Sequence, residues 1–219
     1  MSSFGSKNVF ATLGAILGWL AVLLQFILML QNSPASNGEA VVRFFSFFTI
    51  LSNTLATVCY TKAALEKAGS TSFFTAPRTI SAITVYILIV GIVYNLVLRF
   101  LWAPTGLQKI VDELLHSVNP ALFLLFWIQY VPKQVLRWKD AFSWLLFPLA
   151  YIVFVLVRGS FSGYYPYPFI NVRKLGFERT MMNSFYLFIA FLVLSLLLVG
   201  VAKLIAGRSA VKIKNENYS

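Results

Sequence analysis

Six apolar segments divide the chain, each close to the length that a helix needs to cross a membrane. A helix rises 1.5 Å per residue, so about 20 residues cross the roughly 30 Å of hydrocarbon in a bilayer. The segments lie at about Val9 to Leu30, Val41 to Tyr60, Thr79 to Trp102, Asp112 to Val131, Ala141 to Arg158 and Met182 to Ala206. The first exceeds the roughly 7 to 15 apolar residues of a signal peptide, so we interpret it as a membrane helix.

The pattern predicts an all-α polytopic integral membrane protein. We expect one domain of six transmembrane helices over residues 1 to 219, ending in a polar, solvated tail at residues 207 to 219. The connections are short except for residues 159 to 181, which mix Gly, Pro and closely spaced aromatic residues. This composition favours a compact cap at the membrane interface, although a simple aromatic anchor has the same pattern.

Composition agrees with a chain that lies mostly in lipid. Of the 219 residues, 59% are hydrophobic and 11% are charged, against about 25% charged in an ordinary soluble domain. A net charge of +11 would indicate a nucleic-acid partner in a soluble protein. Here the basic residues stand mostly at the ends of apolar segments, so we expect membrane lipids as partners and no nucleic acid.

The distribution of Lys and Arg predicts the orientation in the membrane. With the N-terminus inside, eleven of the eighteen basic residues fall on the cytoplasmic side. They are Lys7, Lys62, Lys67, Arg78, Lys133, Arg137, Lys139, Lys203, Arg208, Lys212 and Lys214. Both termini are therefore expected in the cytoplasm. The bias is moderate, because Lys109, Arg173, Lys174 and Arg179 fall in outer loops.

The second apolar segment carries polar groups that lipid cannot satisfy. Its sequence FFSFFTILSN, residues 44 to 53, contains three hydroxyl groups and one amide. An unmatched polar group in an apolar medium costs about 1 to 3 kcal/mol, so these groups should face protein or water. Helical spacing places a polar stripe toward the bundle, formed by Arg43, Ser46, Thr49, Asn53 and Thr57. Taken alone, such hydroxyls more often join helices than perform catalysis.

His116 is the only histidine in the chain. An ionisable residue inside a membrane segment indicates a functional site. Asp112 and Glu113 precede it by four and three residues, so either carboxylate could hold the ring in one tautomer, although both acids also favour a helix N-terminus. Counted from the outer ends of their segments, Thr49, His116 and Asn95 lie at similar depths, roughly 8 to 12 Å along the axis. His116 is the one candidate base for a Thr49 nucleophile near neutral pH.

Three motifs resemble, in chain order, those of the androgen-induced family of multi-span membrane proteins. They are FFSFFTILSN, then DELLHS followed by Pro120, then YPYPFINVRKLG. Members of that family are threonine hydrolases that act on fatty acid esters of hydroxy fatty acids. The family's nucleophile matches Thr49, and its essential histidine, followed by Ser or Thr and soon by proline, matches His116 with Ser117 and Pro120.

The family's Tyr-Pro-Phe motif in the last outer loop matches Tyr167, Pro168 and Phe169. The resemblance covers roughly residues 41 to 185, and the chain is most similar to the short bacterial members. It implies a hydrolase of amphiphilic lipid esters in a bacterial inner (plasma) membrane. The resemblance also implies that His116 accepts the Thr49 proton and that an acyl-threonine intermediate forms before water releases the acid.

Other polar residues are candidates for supporting roles in this chemistry. The supporting or oxyanion-binding candidates, chosen by depth, are Ser46, Asn53, Asn95 and Asp112. Three arginines fall near the outer ends of their segments and either snorkel to the interface or bind a free fatty carboxylate: Arg43, Arg99 and Arg158.

Two other function classes fit the same pattern. One is a small-molecule or lipid transporter or channel whose outer vestibule uses the polar layer. The other is a structural membrane protein in which Thr49 and His116 only join helices by hydrogen bonds. One histidine, one cysteine and the lack of a Gly-rich phosphate loop offer little for metal or nucleotide chemistry, so we expect no cofactor and no metal. The sequence leaves the oligomeric state open.

Overall fold

A computed structural model describes the backbone of residues 2–67, 69–101 and 103–216, and the side chains of this range from residue 5 to residue 208. Over these residues the chain is helical and has no strand. Trp102, the predicted end of the third segment, lies outside the described residues, as do residues 217–219 of the predicted polar tail. Residues 207–216 of that tail continue the last helix instead of forming a separate extension.

Within the described residues, ten α-helices follow one another. They are α1 Ser2–Asn32, α2 Asn37–Phe45, α3 Phe48–Leu65, α4 Pro77–Leu96, α5 Gly106–Glu113, α6 Asn119–Tyr130, α7 Trp138–Ser143, α8 Leu146–Ser162, α9 Val172–Leu175 and α10 Phe177–Glu216. Short 3-10 segments lie at Phe73–Thr75, Leu98–Phe100 and Pro168–Ile170. A π-helical segment, Leu114–Val118, joins α5 to α6.

Five helical segments of the described chain are long and apolar enough to cross a membrane, and a sixth is counted if the bent pair α2 and α3 forms one span. The five are Gly5–Asn32, Pro77–Phe100, Gly106–Tyr130, Trp138–Ser162 and Phe177–Arg208. The prediction of an all-helical chain with several apolar helices of spanning length is therefore confirmed. Each segment begins before its predicted start, because polar residues at its end also adopt helical backbone.

The second predicted segment is not one continuous helix. The axes of α2 and α3 differ by 70°, and the extended backbone of Phe47 (φ −82°, ψ 123°) separates them. The Ser46 hydroxyl donates to a carbonyl one turn back (2.6 Å), and the Tyr151 hydroxyl of α8 donates to the Ser46 carbonyl (2.8 Å). These side chains satisfy polar groups at the break. The prediction of an unbroken helix over residues 41–60 was wrong because it rested on apolar length alone, and a new helix begins just before Thr49.

The centre of the bundle is α3, which packs against α1 and α4, while α4 also packs against α6 and α10. Gly14 and Gly18 of α1 allow the close approach of α3, because a Cβ at either position would collide with Tyr60 or Thr57. Small residues four apart are typical of close helix contacts in membranes. The opposite face of α1 is apolar and exposed, and its members are Val9, Leu13, Ile16, Leu20, Leu23 and Ile27.

The chain between α8 and α10 folds over one end of the bundle. Gly163 ends α8 with a left-handed backbone (φ 71°), which glycine adopts without strain. Beyond it, Tyr167 and Ile170 are buried, and Asn183 of α10 donates to the carbonyl of Phe169 (2.8 Å). The loop is therefore packed into the structure, and it delivers Tyr167 to the interior.

Candidate active site

Thr49 and His116 meet in the interior of the bundle. Thr49 Oγ1 lies 3.4 Å from Nε2 of His116, slightly beyond the about 2.6 to 3.2 Å of a tight nucleophile–base bond, as is common without substrate. Thr49 is buried in the first turn of α3, and His116 occupies the middle of the π segment. The 70° break places the threonine at the start of a helix, where it faces the histidine.

A backbone carbonyl sets the tautomer of His116. Nδ1 of the ring lies 2.8 Å from the carbonyl oxygen of Asp112, and a carbonyl oxygen can only accept a hydrogen bond. Nδ1 therefore carries the proton, and Nε2 presents its lone pair to Thr49. This arrangement gives the imidazole the orientation of a general base.

The carboxylates beside His116 do not hold its ring, contrary to the sequence-based expectation. Asp112 accepts from the hydroxyl of Tyr94 (3.0 Å), whose ring stacks on His116 with 4.0 Å between centroids. Glu113 pairs with Arg99 instead (2.6 Å). The expectation failed because the carboxylates bond to Tyr94 and Arg99, and the ring bonds to the main-chain carbonyl one turn back. Asp112 acts on the imidazole through its carbonyl and, indirectly, through Tyr94.

Tyr167 completes a chain of hydrogen bonds around Thr49. Its hydroxyl accepts from the backbone N–H of Thr49 (3.2 Å) and lies 3.2 Å from Thr49 Oγ1. The one hydroxyl proton of Thr49 goes to the bare Nε2 of His116, so the phenol donates its own proton to Oγ1. Burial raises the pKa of Tyr167 above its ordinary value, so this donor stays protonated at neutral pH. The sequence placed Tyr167 in the cap but did not predict its contact with Thr49.

The π segment releases carbonyl groups that anchor the histidine. Pro120 has no N–H, so the carbonyl of His116, four residues back, loses its helical partner. Asn95 of α4 donates to this carbonyl (3.4 Å), and Asn53 of α3 donates to the carbonyl of Leu115 (3.0 Å). π-helical turns often occur at functional sites. Here the turn lets two neighbouring helices fix the position of the imidazole.

Three predicted oxyanion donors are used for structural bonds instead. Each donates to main-chain carbonyls: Ser46 at 2.6 Å, Asn53 at 2.9 and 3.0 Å, and Asn95 at 2.9 and 3.4 Å. The predicted depth of a residue does not show whether its side-chain protons are already used in hydrogen bonds to main-chain carbonyls. The donor next to Thr49 Oγ1 is the Tyr167 hydroxyl. The Thr49 N–H, which has no helical partner at the start of α3, donates to that hydroxyl.

Two cavities meet at Thr49. The larger has a volume of about 550 Å³, within the range of about 300 to 1,000 Å³ for small-molecule sites. Its wall includes His116 and Arg43. The smaller cavity, about 80 Å³, lies between α4, α8 and α10 and is almost entirely apolar. Thr49 and Tyr167 line both.

Of Arg43, Arg99 and Arg158, only Arg43 lines either of these cavities. Arg43 and Arg158 both bond to Glu39, each at 2.8 Å, and both lie over the ring of Tyr164. Two guanidinium groups that share one carboxylate keep a net positive charge. Arg99 lies apart from this cluster, so the three arginines do not form the single carboxylate site that the sequence suggested.

The groups that surround the Thr49 hydroxyl are an imidazole and a phenol, and acyl-transfer sites use groups of this kind. Among the residues that the structure describes, no three His, Cys, Asp or Glu side chains come together as metal ligands. Comparisons of the chain with protein-family models, with curated proteins and with solved structures find no match.

Proposed function

We propose that the protein is an intramembrane hydrolase of lipid esters, with Thr49 as nucleophile and His116 as general base. The observation that carries the proposal is the 3.4 Å approach of Thr49 Oγ1 to Nε2 of a His116 ring whose Nδ1–H is held by the Asp112 carbonyl. Nucleophile, base and orienting group stand in the order that activates a hydroxyl. The resemblance implies fatty acid esters of hydroxy fatty acids as substrates, and the larger cavity, which has apolar side chains and Arg43 in its wall, suits their hydroxy fatty acid part.

The reaction proceeds in two acyl transfers. In the first, the hydroxyl proton of Thr49 moves to Nε2 of His116 while Oγ1 forms a bond to the ester carbonyl carbon. The bond from that carbon to the alcohol oxygen then breaks, and His116 returns the proton to the leaving oxygen. In the second, water attacks the acyl-threonine and gives a proton to His116, the bond to Oγ1 breaks, and Oγ1 recovers the proton.

Tyr167 supplies the electrostatic part of the reaction. Its hydroxyl accepts from the Thr49 N–H and lies 3.2 Å from Thr49 Oγ1. During attack, negative charge develops on the ester carbonyl oxygen, and a phenol beside the reacting atoms can turn its proton to that oxygen. Tyr167 is therefore assigned a catalytic role as donor, and Asn53 and Asn95 are positioning residues.

The proposal places this site in the outer half of a bacterial plasma membrane. The bent pair α2 and α3 then counts as one of six spans, and the Lys and Arg distribution favours cytoplasmic termini. An amphiphilic ester reaches the larger cavity laterally from the lipid, with its polar end near Arg43. The 70° break between α2 and α3 leaves Thr49 and Ile50, at the start of α3, in the wall of this cavity.

Labelling with a hydrophobic fluorophosphonate tests the nucleophile. We expect the wild-type protein to be labelled on Thr49, and Thr49→Ala and His116→Gln to abolish labelling. The same variants should lower the hydrolysis rate of a lipid ester by about 100-fold or more. Thr49→Ser retains a hydroxyl and should retain part of both signals. Thr54→Ala, on the same helix, is the matched control and should label like the wild-type protein.

Labelling that persists in Thr49→Ala, or a folded wild-type protein that neither labels nor hydrolyses esters, would contradict the hydrolase. Transport is separated from hydrolysis by flux in liposomes. Flux that is unchanged in Thr49→Ala, together with absent hydrolysis in the wild-type protein, would favour a transporter.

A further inference from the structure

The two cavities beside Thr49 differ in their relation to His116. The larger cavity includes the imidazole in its wall, whereas the smaller cavity does not. Tyr167 and Thr49 line both cavities. An ester whose carbonyl carbon lies at Thr49 Oγ1 has a cavity available for each of its two arms.

We infer that the smaller cavity holds the acyl group of the ester, limits its length, and leaves the alcohol in the larger cavity. The inference rests on the proposed function. When the tetrahedral intermediate collapses, the bond to the alcohol oxygen breaks and that oxygen takes the proton from Nε2 of His116. The alcohol must then lie on the side of the imidazole, which is the larger cavity, and the acyl arm points the other way.

The lining of the smaller cavity suits a hydrocarbon arm. Its apolar wall comes from α4, α8 and α10 and includes Ile89, Val90, Val93, Ile152, Phe188 and Phe191. Two polar side chains in the wall are already bonded: the Ser184 hydroxyl donates to the Thr180 carbonyl (2.8 Å), and the Tyr151 hydroxyl to the Ser46 carbonyl (2.8 Å). No charged side chain lines this cavity among the described residues.

The larger cavity suits the alcohol arm. Its wall combines apolar side chains with the charged groups of Arg43 and Asp112 and the amides of Gln25 and Gln108. Such a lining accepts an alcohol that carries a polar or anionic end. A polar end is less costly here than in the smaller cavity, where it would be buried without a partner.

The size of the smaller cavity sets the class of acyl group. Its volume of about 80 Å³ is about half that of a 150 Å³ apolar cavity that binds benzene. An acyl chain of a few carbons fits, and a longer chain must displace side chains of α4 or α10. The acyl group is therefore expected to be shorter than the fatty acyl groups that the resemblance implies.

The hydrolysis of p-nitrophenyl acetate, butyrate, octanoate and palmitate tests the inference. The wild-type protein is expected to prefer acetate and butyrate over palmitate by about tenfold or more in kcat/KM. Phe188→Ala enlarges the cavity and should raise the octanoate-to-butyrate ratio by about tenfold. Val93→Phe fills it and should lower the butyrate-to-acetate ratio by a similar factor.

Matched controls lie beside the two substituted residues on the same helices. Phe185 and Ile92 line neither cavity and are 60% and 43% exposed. Phe185→Ala and Ile92→Phe should leave the ratios of the wild-type protein unchanged. Ratios compare substrates within one preparation, so a partial loss of folded protein does not alter them.

The outcomes separate this inference from the proposed function. A wild-type preference for palmitate, or chain-length ratios that Phe188→Ala and Val93→Phe leave unchanged while Thr49 is still labelled, would overturn the acyl assignment and leave the hydrolase intact. A wild-type protein without labelling and without hydrolysis of any of the four esters would overturn both.

Discussion

Tyr167 is the residue on which the chemistry of Thr49 depends most directly after His116. Its hydroxyl contacts both the backbone N–H and the Oγ1 of Thr49, and the residue is 8% exposed. The phenol therefore holds Thr49 in position and donates to the oxygen that is proposed to attack the ester. A purely structural anchor would need the first contact but not the second.

Tyr167→Phe separates these two roles. We expect kcat/KM for ester hydrolysis to fall by about 100-fold, the effect of losing one donor at an oxyanion. The unpaired N–H of Thr49 should lower the free energy of unfolding by about 1 to 3 kcal/mol. Ester hydrolysis and thermal unfolding in detergent measure the two effects, and Tyr165→Phe in the same loop is the control. Lower stability with an unchanged rate would show that Tyr167 is only an anchor.

At the scale of elements, the important junction is the one between α3 and the π segment. Asn53 is fully buried in α3. Its amide donates to the carbonyl of Leu115 (3.0 Å), and its oxygen accepts from Asn119 at the start of α6 (2.9 Å). One side chain therefore bonds to both ends of the turn that carries His116. Such fully satisfied buried networks fix neighbouring elements in one arrangement.

Asn53→Ala should disrupt this junction. The substitution leaves a buried carbonyl and a buried amide without partners, so we expect the free energy of unfolding to fall by about 2 to 4 kcal/mol. Fluorophosphonate labelling of Thr49 should fall as well, because the position of His116 is no longer fixed. Thermal unfolding and labelling of the same sample measure both. Asn37→Ala, at an exposed position of α2, is the control, and equal stability of the two variants would contradict the junction.

At the scale of the whole molecule, the proposed topology puts the cap over the site on the outer side of the membrane. The connection between α3 and α4 then lies in the cytoplasm, and the connection between α8 and α10 lies outside. Cys59, the only cysteine, is fully buried. Single cysteines introduced elsewhere in a Cys59→Ala background can therefore report the orientation.

Ser162→Cys and Ser70→Cys test this orientation, because both positions are exposed at opposite ends of the bundle. A membrane-impermeant maleimide added to intact cells should label Ser162→Cys and not Ser70→Cys. Both should be labelled after the membrane is permeabilised, which is the control for accessibility. The reverse pattern in intact cells would place the termini outside and refute the proposed topology.

The sequence predicts the apolar helices, because apolar length is a local property. The pairing of Thr49 with His116 is predicted only from similar depth and from the resemblance, because local spacing does not determine a contact between residues that are 67 positions apart. It does not predict the break at Phe47, since an extended residue inside an apolar run leaves no mark in composition. The hydrogen bonds of Asn53 and Asn95 are not predicted either. Both amides donate to carbonyls of the π segment, and the sequence pattern predicts an ordinary helix there. The DELLHS and Pro120 motif contained the signal for the π segment, since proline removes the helical bond to the carbonyl of His116.

The bond between Nδ1–H of His116 and the Asp112 carbonyl makes the protein suitable for nuclear magnetic resonance. Because the chain has one histidine, incorporation of nitrogen-15 histidine yields a single pair of ring resonances with no overlap. At neutral pH we expect the chemical shift of a protonated ring nitrogen from Nδ1 and that of an unprotonated ring nitrogen from Nε2. The chemical shift of Nε2 should change when a fluorophosphonate is bound to Thr49. One isotope label therefore reads the protonation state of the site in the purified protein reconstituted in a lipid bilayer.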